Sequence, residues 1–266
     1  MKVDEICRLI KKVSAEEILT RFRNLKETEV HYKEPGEFVT AADIASEKAL
    51  ISGLHELYPN ALITGEEDIS ENPERLNELL KADYGFLIDP IDGTNNFIKG
   101  NERFAVMIVA LKHGSVDISW IYLPASDIMA YATKGQGAYL NDIKITLSNK
   151  KSDLSELIGA AHINRMPKEI RDQAKEKLEL IKENRPGFCA GYDYVSLLRG
   201  EKDFSVYYRT LIWDHLPGSL IYKEAGGYAL GLDEQPYTPK NEGTGLLCAA
   251  NEEMWHKIKN TLFLKF

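Results

Sequence analysis

Apolar residues recur at helical spacing at the start of the chain and at strand-like spacing later. Ile6, Leu9, Ile10 and Val13 repeat every three or four residues, and Ile18, Leu19, Phe22 and Leu25 continue the series. This predicts an amphipathic helix with a break near Ser14. Residues 27–37 are polar and include Pro35-Gly36, so they read as a loop. Thr40 and Asp43 then have the spacing of a capping box, and Ile44, Leu50, Ile51, Leu54 and Leu57 give the next helix its apolar face. Residues 61–64 form a short predicted strand that runs into Gly65-Glu66-Glu67. Residues 68–83 read as loosely helical and residues 86–89 as a second strand.

Residues 104–111 are almost wholly apolar, the mark of a buried strand. Segments 119–123, 128–133 and 138–145 follow between turn residues, which predicts an antiparallel meander. Residues 147–156 are polar and form the candidate boundary between an N-terminal α+β half, 1–150, and a C-terminal α/β half, 151–266. In the second half, strands are predicted at 158–163, 204–207, 228–230 and 246–250. Helices are predicted at 167–184, 192–199, 214–225 and after Asn251. Strands and helices of both kinds imply a layered fold of mixed α/β and α+β character.

Composition narrows the function. A chain of 266 residues that is 44% hydrophobic has ample material for a core, and one of this length forms one large domain or two modest halves. Its formal charge of −8 and the lack of a Lys/Arg run argue against a nucleic-acid-binding surface. An acidic protein that handles anions needs cations at its site. Cys7, Cys189 and Cys248 are far apart and lack zinc-ligand spacing, which fits a reducing cytoplasm. No apolar stretch reaches spanning length and the N-terminus is charged, so neither a membrane helix nor a signal peptide is expected.

The candidate chemistry lies at Phe86-Leu87-Ile88-Asp89-Pro90-Ile91-Asp92-Gly93-Thr94-Asn95-Asn96-Phe97. An apolar strand that ends in Asp89 places a carboxylate at the edge of the core, where its charge is costly unless paired or bound to a cation. Pro90 fixes the exit from the strand, and Asp92 can return beside Asp89. Oxygen-only ligands suit Mg²⁺. Gly93 lets a ligand approach the backbone, and N–H groups at Thr94 and Asn95 favour phosphate. The alternative is an Asx-type turn after a strand.

This stretch resembles the signature of the inositol monophosphatase family, an apolar strand followed by D-P-I/L-D-G-T-x-N-F. Gly65-Glu66-Glu67 resembles the family's G-E-E, and residues 39–43 resemble its V-T-x-x-D. Trp213-Asp214, with Gly218 and Glu224-Ala225-Gly226-Gly227, resembles its second signature. The resemblance implies a layered αβαβα sandwich and Mg²⁺-dependent hydrolysis of small phosphate monoesters, inositol-1-phosphate or a related sugar phosphate. It implies two or three Mg²⁺ ions held by Glu66, Asp89, the Ile91 carbonyl, Asp92 and Asp214. Thr94, helped by Asp43, would activate water. Asp92, Gly93, Thr94 and Asp214 would contact substrate. The expected partner is a phosphorylated metabolite, and homodimers are common in the family.

Several positions have a second reading, and two regions depart from the family pattern: Gly65-Glu66-Glu67 suits a solvated turn and Asp43 the capping box alone, and Leu216-Pro217 stand where the family usually has small residues. Asp214 suits a helix N-cap, with Pro217 in the first turn; Lys33 in its loop suits either the site or solvent; His215 suits a helix surface or a cavity wall. Where inositol-phosphate enzymes have a glutamate seven residues before the second-signature aspartate, this chain has Tyr207, then Tyr208 and Arg209. Arg209 suits a second anionic group on the substrate or a surface ion pair. Other substrates left open are histidinol phosphate, fructose bisphosphate and a 3′-phosphorylated nucleotide. A non-catalytic regulatory protein on the same fold is the remaining alternative.

Overall fold

In the computed structural model, which describes residues 2–34, 37–148, 151–240 and 245–263, two sheets are separated and flanked by helices. The strands Leu62–Gly65, Tyr84–Asp92, Ala105–Lys112, Ser115–Leu123, Ile128–Thr133, Gly137–Leu140 and Ile143–Ile145 form the first sheet in chain order. Its first pair is parallel and every later pair antiparallel, which is the predicted meander. The second sheet runs Glu183–Asn184, Ile158–His162, Phe204–Tyr207, Leu246–Ala249, Tyr228–Gly231 and is mixed.

Burial on both faces explains why the central strands are apolar without alternation. Phe86, Ile88, Ile91, Ile108 and Trp120 pack on one side against Ile6, Ile10, Leu50 and Leu54 of the helices Val3–Val13 and Ala41–Leu57. Leu87, Ala105, Met107, Val109 and Ile121 pack on the other side against the helices Ala190–Leu198 and Ile212–Glu224. Those two helices also carry Tyr207, Ala229, Leu246 and Cys248 of the second sheet. The far face of that sheet, Phe204, Val206, Leu247 and Ala249, meets Ala174, Met254, Trp255 and Ile258 of the outer helices. The order is therefore helix, sheet, helix, sheet, helix, a layered α/β fold. The middle helices come from the second half of the chain and share one core with strands of the first.

Several segments differ from the sequence expectation. The stretch read as a loop at 27–37 contains a hairpin strand, Val30–Glu34, paired with Glu37–Thr40; Pro35-Gly36 lie outside the described residues. The two strands are only five and four residues long, and Pro35-Gly36 between them is a turn signal, so the pattern reads as loop. The break near Ser14 is a π-helical turn, Ser14–Ile18. Segment 68–83 resolves into Glu66–Glu71 and Glu74–Lys81, separated at Asn72-Pro73. Segment 167–184 is helical only over Lys168–Lys177, then passes through Leu178–Leu180 to an edge strand. Asp214 is the third residue of its helix rather than the cap, which is Leu211. Pro217 therefore stands inside the helix instead of in its first turn.

Adjacent residues of the Tyr84–Asp92 strand face opposite cores. Leu87→Ala and Ile88→Ala are each expected to cost about 2–5 kcal/mol in urea unfolding. A negligible effect at either position would contradict the layered order.

Candidate active site

A bulge in the first sheet creates the site. Asp89 pairs with Met107 and Asp92 with Ala105, three steps on one strand against two on its neighbour. Residues three apart on a regular strand face opposite sides; the extra residue resets the alternation, so Asp89 and Asp92 share a face. Ile91 turns into the opposite core. The strand thus continues through Pro90 to Asp92 instead of leaving in a turn at the proline. Gly93 follows with φ +84°, and a Cβ there would come within 2.9 Å of both the Arg103 carbonyl and Cys189 Cβ. Its left-handed backbone starts the short helix Thr94–Ile98.

Glu66 reaches the same place from the end of the Leu62–Gly65 strand. Glu47, buried in the Ala41–Leu57 helix, accepts hydrogen bonds from Glu67 N and Asp68 N, both at 2.9 Å. It holds the start of the Glu66–Glu71 helix, where charge-assisted bonds contribute about 1.5–3 kcal/mol. Gly65 leaves the room, because a Cβ there would lie 2.2 Å from the Glu47 carboxylate. Lys33, expected in a loop, lies on a strand and pairs with Glu67 at 2.5 Å and Glu66 at 3.6 Å. Asp214 arrives from the first turn of the Ile212–Glu224 helix, where the helix dipole favours its charge.

Glu66, Asp89, Ile91, Asp92, Gly93, Thr94, Tyr207, Arg209, Asp214 and His215 all line one cavity of about 560 Å³. Asp89 and Asp92 are buried, while Glu66 and Asp214 open to the cavity. Burial and then the Glu66, Asp92 and Asp214 charges push Asp89 well above the usual carboxylate range. Burial and then Asp214 push Glu66 the same way. Asp214 is raised to about 8 by burial and the neighbouring Asp92 charge. Asp89 Oδ1 is buried with no hydrogen-bond partner. An all-oxygen set with an orphaned buried oxygen fits a hard divalent cation. Among the described residues no three His, Cys, Asp or Glu side chains stand close enough together to hold a metal ion as they are.

Asp43 lies just behind the cavity wall and completes the predicted capping box with Thr40. One carboxylate oxygen accepts from the Thr40 hydroxyl at 2.6 Å and the Thr40 amide at 2.9 Å. The other is 3.3 Å from Thr94 Oγ1, which also lies 3.0 Å from the Ile91 carbonyl. Burial pushes Asp43 up to about 7, against the Thr40 hydrogen bonds. Capping and contact with Thr94 are thus compatible. His215 is a buried wall residue rather than a surface one, and burial lowers it to about 3, so the ring is neutral.

Sequence reasoning missed the groups that hold these carboxylates. Gly191 N donates to Asp92 Oδ2 at 2.6 Å and Cys189 Sγ at 3.1 Å, from 97 and more residues away. Asn96 Nδ2 donates to the carbonyls of Arg103 and Gly187 at 2.8 and 2.9 Å. His162 lines the cavity, with Nε2 2.6 Å from Asp193, a fully buried carboxylate that also pairs with Lys202. Glu47 had a local signal, a carboxylate in an apolar helical stretch one turn after Asp43. Asn96 stands as the asparagine of D-P-I/L-D-G-T-x-N-F, and the remaining groups had no signal, because their partners are remote in sequence.

Residues 2–263 match the sequence model of the inositol monophosphatase family. The putative Nus factor SuhB of Neisseria meningitidis serogroup B is 30% identical over 211 residues, 77% of this chain and 77% of that protein. A fructose-1,6-bisphosphatase/inositol-1-monophosphatase of Thermotoga maritima is 30% identical over 193 residues, 72% of this chain and 70% of that protein. The solved inositol monophosphatase (IMPase) of Thermotoga maritima superposes with a TM-score of 0.84 at 23% identity, covering 98% of this chain and 96% of that one. Site geometry, whole-length family match and relatives agree: this chain belongs to the inositol monophosphatase family.

Proposed function

We propose that the chain is a Mg²⁺-dependent phosphatase of small phosphate monoesters, acting by direct in-line attack of water. The observation that carries this reading is Asp89, whose buried Oδ1 lacks a partner while Glu66, Asp92 and Asp214 crowd the same cavity. Glu66, Asp89, the Ile91 carbonyl, Asp92 and Asp214 would hold the ions. With Mg²⁺ held there, the charge of this wall would be neutralised and the ion would supply acidification of a water and stabilisation of a leaving alkoxide. Thr94 Oγ1 orients the water, and Asp43 receives its proton through the threonine hydroxyl, 3.3 Å away. A carboxyl with its pKa near neutrality suits that role. Gly93 and Thr94 N–H groups at the helix start would bind phosphate oxygens. Tyr207 and Arg209 would contact the alcohol part of the substrate.

The three free cysteines suit a reducing, cytoplasmic setting, and no helix among the described residues is long and apolar enough to cross a membrane. Relatives named Nus factor SuhB favour a second reading, a regulatory protein that works through a protein partner. The complete carboxylate set favours catalysis.

The deciding experiment is phosphate release from a panel of monoesters with and without Mg²⁺. Activity should require Mg²⁺, and Asp89→Asn should abolish it while leaving the circular dichroism spectrum intact. Undiminished Mg²⁺-dependent turnover by that variant would sink the mechanism.

The carboxyl shifts fix a pH dependence. Glu66, Asp89, Asp92 and Asp214 have folded-state values raised above the unfolded ones, so the native state holds their protons more tightly. The stability they contribute is full below about pH 4 and is lost as pH rises through the folded values. Mg²⁺ competes with those protons. The Mg²⁺-induced rise in Tm should therefore be small at pH 5 and larger at pH 8. A rise that is independent of pH, or that shrinks toward pH 8, would contradict this assignment.

A further inference from the structure

Phe188 stands at the cavity rim in an uncommon state. Its φ is +56°, left-handed backbone that a phenylalanine rarely adopts, and its side chain is 57% exposed. A lone exposed apolar residue is ordinary on a protein surface, and so carries nothing by itself. Here the backbone is held in place from both sides. Asn96 Nδ2 lies 2.9 Å from the Gly187 carbonyl and 3.3 Å from that of Phe188. Gly187 N donates to both oxygens of Asp193, at 2.9 and 3.1 Å. Both anchoring side chains are buried. Strain that persists because its surroundings over-determine it tends to mark a binding site.

The displayed ring forms a corner with His162. The two ring centroids are 5.9 Å apart and the planes meet at 85°. His162 is itself fixed: Nε2 bonds Asp193 at 2.6 Å, and the ring stacks on Tyr207 at 4.9 Å and 24°. Tyr207 in turn lies 4.3 Å from His215. All four rings line the cavity, next to Asp92 and Asp214. A flat ring laid on Phe188 would meet the imidazole edge-on, with aromatic surface behind it. A saturated polyol has no flat face to lay on Phe188 and would gain nothing from these rings beyond ordinary contact.

We propose that Phe188 and His162 form a ring-stacking subsite that selects phosphate monoesters whose alcohol carries a planar, unsaturated ring over saturated polyol phosphates. The kinetic part rests on the phosphatase reading; the binding part does not. The substrates to compare are adenosine 3′-monophosphate and glycerol 2-phosphate, both secondary monoesters, with Mg²⁺ present. The variants are Phe188→Asn, which tolerates the left-handed backbone, and Phe188→Tyr, which keeps a ring. Phe188→Asn should lower the kcat/KM ratio of nucleotide to glycerol phosphate about tenfold, the scale of one base–aromatic stack. Phe188→Tyr should restore the ratio. Calorimetric binding of the two compounds to the Asp89→Asn protein is measured in parallel. Adenosine 3′-monophosphate should bind about tenfold more tightly, and Phe188→Asn should erase the difference. Absence of turnover with a retained binding difference would reject the phosphatase reading and support the subsite. Equal affinities, or a parallel loss on both substrates in Phe188→Asn, would overturn the subsite.

Discussion

Repulsion among carboxylates in a poorly solvated cavity is the constraint on which the site depends. Glu66, Asp89, Asp92 and Asp214 come from a strand end, a bulged strand and a helix first turn; the other three raise the proton affinity of Asp89, Asp214 raises that of Glu66, and Asp92 raises that of Asp214. Left ionised together they repel one another and cost desolvation energy. The fold manages the cost locally. Gly191 N and Cys189 steady Asp92, Lys33 faces Glu66, and the helix start favours Asp214. Asp89 Oδ1 receives no such help. A divalent cation is the simplest group that satisfies what the protein leaves unmet.

The layered architecture serves this arrangement. The Tyr84–Asp92 strand is buried on both faces, so its position is set by two cores at once. One extra residue between Asp89 and Asp92 brings both carboxylates to the face where the middle helices pack. Those helices deliver Asp214 and Gly191 from the other half of the chain. Glu47 fixes the Glu66 helix from a third direction, in space that only Gly65 leaves open. Rigid elements therefore place every carboxylate, as an electrostatic site requires.

How much of this was readable follows from the range of each interaction. The earlier strands of the meander and the capping box at Thr40 and Asp43 are local patterns and stand where they were expected, whereas the last expected strand, 138–145, is two, Gly137–Leu140 and Ile143–Ile145, turned at Asn141 and Asp142 with positive φ. The motif residues line one cavity, a convergence that only the resemblance implied; spacing alone favoured a solvated turn for Gly65-Glu66-Glu67. The pairing of Val30–Glu34 with Glu37–Thr40 was missed because both strands are short and their strand character is set by that pairing. The inner position of Asp214 and Pro217 was missed because the helix starts two residues earlier, at Ile212, without a side-chain cap. The Asp193 cluster with His162, Lys202 and Gly187 was invisible, since burial of a carboxylate cannot be read from its neighbours in sequence.

The central claim is that the carboxylates of three separate segments form one cation site around Asp89. Anomalous diffraction from crystals soaked in Mn²⁺, which takes the same oxygen ligands as Mg²⁺, tests it most directly. The account predicts an anomalous peak in the cavity within ligand distance of Asp89, together with Glu66, Asp92 or Asp214. Well-occupied Mn²⁺ on surface carboxylates with no peak beside Asp89 would contradict it.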